Sequence, residues 1–201
     1  MQLPSNISII TDGQYCIQCF SGPIERLYKD NLTYYKCLAC GSVMERSLVI
    51  DSGIVWWLDD ERKYWHESVG VIVQNNEKIL CLKRQIFPFA YALPSGHLDI
   101  GELPAQAARR ELAEETNLLY DGIFAHLADF DIPGDSCRRG SDHHRWHLFH
   151  LQIKESVTVQ LSDEAASATW FSLPELRQRS DIVFPLRFII EKFGDAILMP
   201  N

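Results

Sequence analysis

The 201-residue chain has no apolar run approaching the roughly 20 residues that a bilayer-spanning helix requires, so no membrane partner is expected. Positive charge is also scarce. Nineteen Lys and Arg stand against 27 Asp and Glu, for a net charge of −8, which argues against a general nucleic-acid binder with a basic face. The opening Met-Gln-Leu-Pro-Ser-Asn lacks a basic segment followed by an apolar one, so a secretory leader is not expected and the predicted location is cytoplasmic. Internal repeats and low-complexity tracts are missing as well. What is present is ordinary for a folded protein: 46% hydrophobic and 23% charged residues, in a length that suits one medium domain and a small module.

Cysteine is the exception to this ordinary composition. Cys16-x2-Cys19 and Cys37-x2-Cys40 lie 17 residues apart, the spacing of a four-thiolate structural Zn²⁺ site, and without an export signal they point to metal more than to disulfides. The bland alternative is four unrelated reduced thiols. A closed four-sulfur site has no open coordination position, so its expected role is structural. Residues 1–50 therefore read as a module resembling a zinc ribbon, built of short hairpins. Its few basic residues, Arg26, Lys29 and Lys36 among them, make scaffolding or a dimer contact at least as plausible a role as nucleic-acid recognition. Cys81 reads as a core thiol within a strand, and Cys137 as an exposed thiol in a flexible loop.

Residues 51–66 read as a linker, with Ile54 to Leu58 a buried strand or inter-module contact. From residue 67 onward the pattern is mixed α/β. Val69–Val73 and Lys78–Leu82 flank an Asn75-Asn76 turn and predict a hairpin. Pro104 to Thr116 predicts a helix: Pro104 suits its first turn, and Ala105, Ala108 and Leu112 form an apolar stripe. Asn117 then occupies the position where a helix ends in the left-handed conformation. Strands are expected over Gly122–Ile132, Arg145–Ile153 and Thr169–Leu173, with a short helix near Pro174–Leu176 and an amphipathic one over about Pro185–Phe193.

Glu111, Glu114 and Glu115 stand at i, i+3 and i+4 and so share one face of the helix. Three like charges at that spacing repel unless a cation neutralises them, and Mg²⁺ prefers such oxygen ligands while keeping sites open for phosphate. Gly96 permits a tight turn that brings its carbonyl near, and a Glu102–Arg110 pair would clasp the loop to the helix.

Together these residues match G-x5-E-x7-R-E-U-x-E-E-x-G-U at every fixed position but one, where Asn117 replaces glycine. The chain thereby resembles the Nudix hydrolase superfamily, with an N-terminal zinc ribbon as in its NADH pyrophosphatase branch. The resemblance implies a Nudix α/β/α sandwich over residues 67–201, with a mixed sheet. It implies Mg²⁺-dependent (or Mn²⁺-dependent) hydrolysis of a nucleoside diphosphate linked to another moiety. Glu111, Glu114, Glu115 and the Gly96 carbonyl would hold the catalytic metal, with Arg110 and Glu102 supporting them; Glu111 or Glu164 would serve as general base. Homodimers are common in the family, so a second copy is a candidate partner.

For substrate, the NADH-branch signature S-Q-P-W-P-F-P-x-S is absent from Leu119–Gly140. Pro133 lies where ADP-ribose pyrophosphatases tend to have a proline, although a plain turn is an equal reading. ADP-ribose, NAD(H) and nucleoside triphosphates stay open in that order. Arg138 and Arg139 could hold a phosphate or form a solvated loop; Phe87, Phe89 and Tyr91 could stack a base or belong to the core. His143, His144, His147 and His150 suggest a second metal, but on a strand His147 and His150 face opposite sides. The rival reading is a nucleotide-sensing or nucleic-acid- or protein-binding regulator on a non-catalytic Nudix fold; the intact carboxylates and the acidic charge favour the enzyme.

Overall fold

A computed structural model describes residues 1–4, 11–154 and 157–197. Five short strands form the N-terminal module: β1 (Gly13–Tyr15), β2 (Ile24–Lys29), β3 (Leu32–Cys37), β4 (Val43–Met44) and β5 (Leu48–Ile50). β2, β3 and β4 make an antiparallel three-stranded sheet, while β1 pairs with β5. Few apolar side chains are buried here. Among the described residues, the apolar core at this sheet is the small cluster of Cys16, Tyr35, Cys37 and Met44 with Ile17 and Ile24 against it, so little that a cross-link would add much to its stability.

The main sheet comprises β6 (Trp56–Leu58), β7 (Tyr64–Asn75), β8 (Lys78–Arg84), β9 (Tyr91–Ala92), β10 (Ser95–His97), β11 (Ala125–Pro133), β12 (His143–Ile153) and β13 (Ala165–Ser172). Its central order is β11-β12-β7-β8-β13; β6 and β10 pair with β7, and β9 with β8. β12 runs parallel to β7, and the other pairings are antiparallel, so the sheet is mixed. Residues 56–58 and 64–66 already belong to this sheet, inside the segment expected to be a linker.

Side-chain alternation divides the core into two layers. Val69, Val71 and Val73 of β7, with Phe149 and Leu151 of β12, pack under Ala107, Ala108 and Leu112 of helix α1 (Pro104–Thr116). On the opposite face, Ile72, Ile79 and Leu148 pack against α2 (Leu173–Gln178) and α3 (Phe184–Ile197) through Leu173, Leu176, Leu186 and Ile190. The result is the α/β/α sandwich. α1 starts at Pro104 and stops at Asn117, whose φ of 54° is left-handed and whose N–H donates to the Ala113 carbonyl. The strand expected from Gly122 begins at Ala125. The preceding turn is held to α1 instead, because the Arg109 guanidinium donates to the carbonyls of Tyr120 and Gly122 and lies 4.3 Å over the Phe124 ring.

The module docks on the sandwich through backbone: Ser47 and Val49 N–H groups donate to the carbonyls of Arg138 and Arg139 in the β11–β12 loop. Thr33 N–H donates to Gln85.

Candidate active site

β10 and α1 present the acidic motif to a cleft of about 470 Å³. The positioning begins with Arg110. Its Nε and Nη2 donate to the two oxygens of Glu102 at 3.0 and 2.8 Å, a planar two-point clasp, and Nη2 also reaches the His97 carbonyl at 3.1 Å. Nη1 turns toward the acidic face, donating to Glu111 at 2.7 Å and Glu114 at 3.3 Å. One guanidinium therefore ties the loop, β10 and the helix together. The Arg110 charge beside Glu102 holds that carboxyl below its ordinary range.

Gly96 lies against Glu111 so closely that an added Cβ would fall 2.0 Å from Cδ of the carboxyl. Only glycine admits this approach, which brings the residue 96 backbone and the Glu111 carboxylate together. Glu115 sits deeper in the cleft, accepting the Ser95 N–H at 2.9 Å. Burial pushes its carboxyl up to about 8, against a smaller opposing effect from the Arg84 charge. Burial also raises Glu111, opposed by Arg110. Two carboxyls held toward protonation, a third on the same helix face and a backbone carbonyl close by form an all-oxygen donor set suited to a hard divalent cation such as Mg²⁺ or Mn²⁺. The residues present thus fit that ion.

The rest of the cleft comes from other segments. Glu164, from the β12–β13 connection, faces the same space and pairs with Arg138 at 2.6 Å. Arg139, also in the cleft lining, pairs with Asp51 at 2.6 Å, tying the loop to the N-terminal module. Arg84 enters from β8 with a buried Nε that has no hydrogen-bond partner. Nothing in the local sequence around Arg84 marks it; only the pairing of β8 beside β9 brings it over the carboxylates. Trp146 and Pro88 supply apolar wall.

Several sequence expectations are redirected. Phe87 and Phe89 do not line the cleft; Phe89 packs on Tyr34 of the N-terminal module, and Arg46 lies over Phe87. Tyr91 meets Phe171 edge-on and carries Lys83 and Arg179 over its ring. The four histidines of 143–150 diverge. His147 bonds to Glu67 and Asp129, His150 to Gln74, and His143 stacks on Trp65, while His144 is buried elsewhere. Cys137 is half-buried rather than exposed, with its sulfur 3.6 Å from His66 Nδ1. Cys81 is fully buried as expected, and burial pushes its thiol up to about 12.

In the N-terminal module Cys16, Cys19, Cys37 and Cys40 converge, each sulfur within 4.8 Å of the others and none in a disulfide. A tetrahedron with Zn–S bonds of roughly 2.3 Å has sulfur–sulfur edges of about 3.8 Å. The observed Cys16–Cys40 and Cys19–Cys37 separations are 3.7 and 3.6 Å. The cluster is therefore compatible with a zinc ribbon.

This site and this sandwich define a domain class, and comparison with known proteins agrees. The NUDIX domain model matches residues 64–193, and the chain belongs to the NUDIX family. Among curated relatives, the chain is 42% identical over 122 residues to the ADP-ribose pyrophosphatase of Methanocaldococcus jannaschii, covering 57% of this chain and 68% of that protein. It is 33% identical over 112 residues to Nudix hydrolase 26, chloroplastic, of Arabidopsis thaliana, covering 49% of this chain but only 52% of the plant protein. A crystal structure of a bifunctional NMN adenylyltransferase/ADP-ribose pyrophosphatase from Francisella tularensis, complexed with AMP and a manganese ion, superposes with a TM-score of 0.54 at 26% identity. That match covers 67% of this chain and 42% of the bacterial one. Among the described residues, no helix is long and apolar enough to cross a membrane.

Proposed function

We propose that the chain is a Mg²⁺-dependent pyrophosphohydrolase whose preferred substrate class is the nucleoside diphosphate sugars, ADP-ribose foremost. The observation that carries this reading is the convergence of Gly96, Glu111, Glu114 and Glu115 under the Arg110–Glu102 clasp, in a cleft also lined by Arg84, Arg138 and Arg139. Glu111, Glu114, Glu115 and the Gly96 carbonyl would hold the metal. When bound, it would supply positive charge to the bridging diphosphate and relieve the repulsion among the carboxylates.

The remaining tasks fall to the chain itself. Arg84, with its unpartnered Nε, and Arg138 bind the anionic linkage and orient it across the carboxylates. Glu164, one of several cleft carboxylates outside helix α1, would accept the proton of the attacking water in this reading. Water adds at phosphorus, the anhydride P–O bond breaks, and ADP-ribose yields AMP and ribose phosphate. Trp146 and Pro88 give an apolar wall against which a base or ribose rests. The similarity to proteins named as ADP-ribose pyrophosphatases supports placing ADP-ribose ahead of NAD(H) and nucleoside triphosphates. Residues 1–50 act in this reading as a zinc-held scaffold on a catalytic domain whose sheet already includes residues 56–58 and 64–66, with a homodimer as the expected assembly.

The test is product analysis by mass spectrometry. Purified chain is incubated with Mg²⁺ and a panel of ADP-ribose, NADH, NAD⁺, FAD, dinucleoside polyphosphates and nucleoside triphosphates, beside Glu115→Gln. AMP from ADP-ribose, lost in the variant, supports the reading. No cleavage of any panel member at saturating metal overturns it and favours a nucleotide-sensing role.

A further inference from the structure

Four residues from four separate segments meet in the wall of the cleft: His66 of β7, His97 of β10, Cys137 of the β11–β12 loop and His144 of β12, the last three among its lining residues. Each places one donor atom within 4.8 Å of all the others. His66 and His144 are 0% and 2% exposed, while His97 and Cys137 are half-buried. Burying three imidazoles and a thiol together has no packing advantage over aliphatic side chains, and buried polar atoms cost free energy unless satisfied. Here they are not all satisfied. His97 Nε2 is buried with no hydrogen-bond partner, whereas His66 faces the Cys137 sulfur through Nδ1.

The distances fit a tetrahedral metal site. A tetrahedral ion with a Zn–S bond of roughly 2.3 Å and Zn–N bonds of roughly 2.0–2.1 Å has a nitrogen–sulfur edge of about 3.5 Å. The Cys137 Sγ to His66 Nδ1 distance is 3.6 Å. One of the three rings also has the outer support typical of a histidine ligand. His144 Nδ1 faces Asp135, lying 3.0 Å from its carbonyl and 3.1 Å from its carboxylate, which leaves Nε2 to coordinate. Asp135 is fixed in turn by the Trp146 indole N–H at 2.8 Å. Carboxylate, imidazole and metal in series is the usual way such a ring is oriented.

We infer that His66, His97, Cys137 and His144 form a second transition-metal site, of the Zn²⁺ class, in the wall of the cleft and distinct from both the four-cysteine module and the carboxylate ligands. Three imidazoles and one thiolate select a borderline or soft divalent ion and reject Mg²⁺. Four protein ligands close the coordination shell, so the ion is structural. Its effect is local: it pins the loop carrying Cys137 and Arg138 to β7 and β10, immediately behind Gly96. The inference is independent of the proposed hydrolysis, because its readout is metal content and ligand type.

The test uses the full-length chain purified after growth with added Zn²⁺. Inductively coupled plasma mass spectrometry should find about two Zn²⁺ per chain, given two closed four-ligand sites. Cys137→Ser and the double variant Cys16→Ser/Cys19→Ser should each lose about one equivalent. Zinc-edge X-ray absorption on the wild type needs no variant: the averaged first shell should contain nitrogen as well as sulfur, whereas the ribbon alone gives sulfur only. In the Cys16→Ser/Cys19→Ser variant, Co²⁺ should give tetrahedral visible bands that disappear when Cys137→Ser is added. One Zn²⁺ per wild-type chain with an all-sulfur shell overturns the inference, whatever the variants do.

Discussion

Replacing Glu115 with glutamine should make the Mg²⁺-free protein more stable while abolishing its proposed activity, and the stability gain should depend on pH. Burial pushes the Glu115 carboxyl from 4.5 to about 8 in the folded chain. Between those values the folded state holds a proton that the unfolded chain has released, so stability falls as pH rises through this window and levels off above it. Each pH unit costs about 1.4 kcal/mol, giving on the order of 3 kcal/mol by pH 7. Solvent reaching the cleft screens part of this, so a gain of about 2 kcal/mol is expected for the non-titrating amide. For a chain of this length that corresponds to a Tm increase of roughly 4–8 °C. Glutamine can still accept the Ser95 N–H, so the local hydrogen bond survives. Thermal unfolding by circular dichroism, in Mg²⁺-free buffer without chelator so that zinc is retained, should show the two proteins converging near pH 5 and separating toward pH 8. Added Mg²⁺ should stabilise the wild type more as pH rises and the variant little. Parallel curves across the whole range would refute the argument that Glu115 is held protonated by the cleft.

Other perturbations have equally direct readouts. Gly96→Ala places a methyl carbon against the Glu111 carboxyl, so ADP-ribose hydrolysis should fall by at least about 100-fold, a transition-state loss near 3 kcal/mol, with the fold retained by circular dichroism. Arg110→Lys keeps the charge but loses the two-point clasp on Glu102; urea unfolding should show a cost of about 1–3 kcal/mol, and kcat/KM should fall alongside it. Leu112→Ala empties a fully buried position between α1 and β7 and should cost about 2–5 kcal/mol in the same assay. Cys37→Ser should lower bound Zn²⁺ and make residues 11–50 sensitive to limited proteolysis before the main sheet, since the module's apolar core is small.

Local sequence determined the features that depend on neighbours within a turn or two. The helix over Pro104–Thr116, its left-handed stop at Asn117 and the shared face of Glu111, Glu114 and Glu115 follow from 3.6-residue periodicity and cap chemistry. The paired cysteines likewise declare themselves by spacing, because each C-x-x-C turn brings two sulfurs together by itself. What sequence proximity could not supply was the partnering of distant segments. His143, His144, His147 and His150 are close in the chain, yet strand alternation and pairing to β7 and β11 send them to different environments. His144 instead meets His66, His97 and Cys137 because β12 lies parallel beside β7 in a register that sets His144 opposite His66, and because β10 pairs with β7 at Ser68. Arg84 and Glu164 reach the cleft for the same reason, as β8 and the β12–β13 connection deliver them across the sheet. A helix motif encodes its own geometry; a site assembled across strands exists only once register and topology are set, and those are decided by burial of both sheet faces at once.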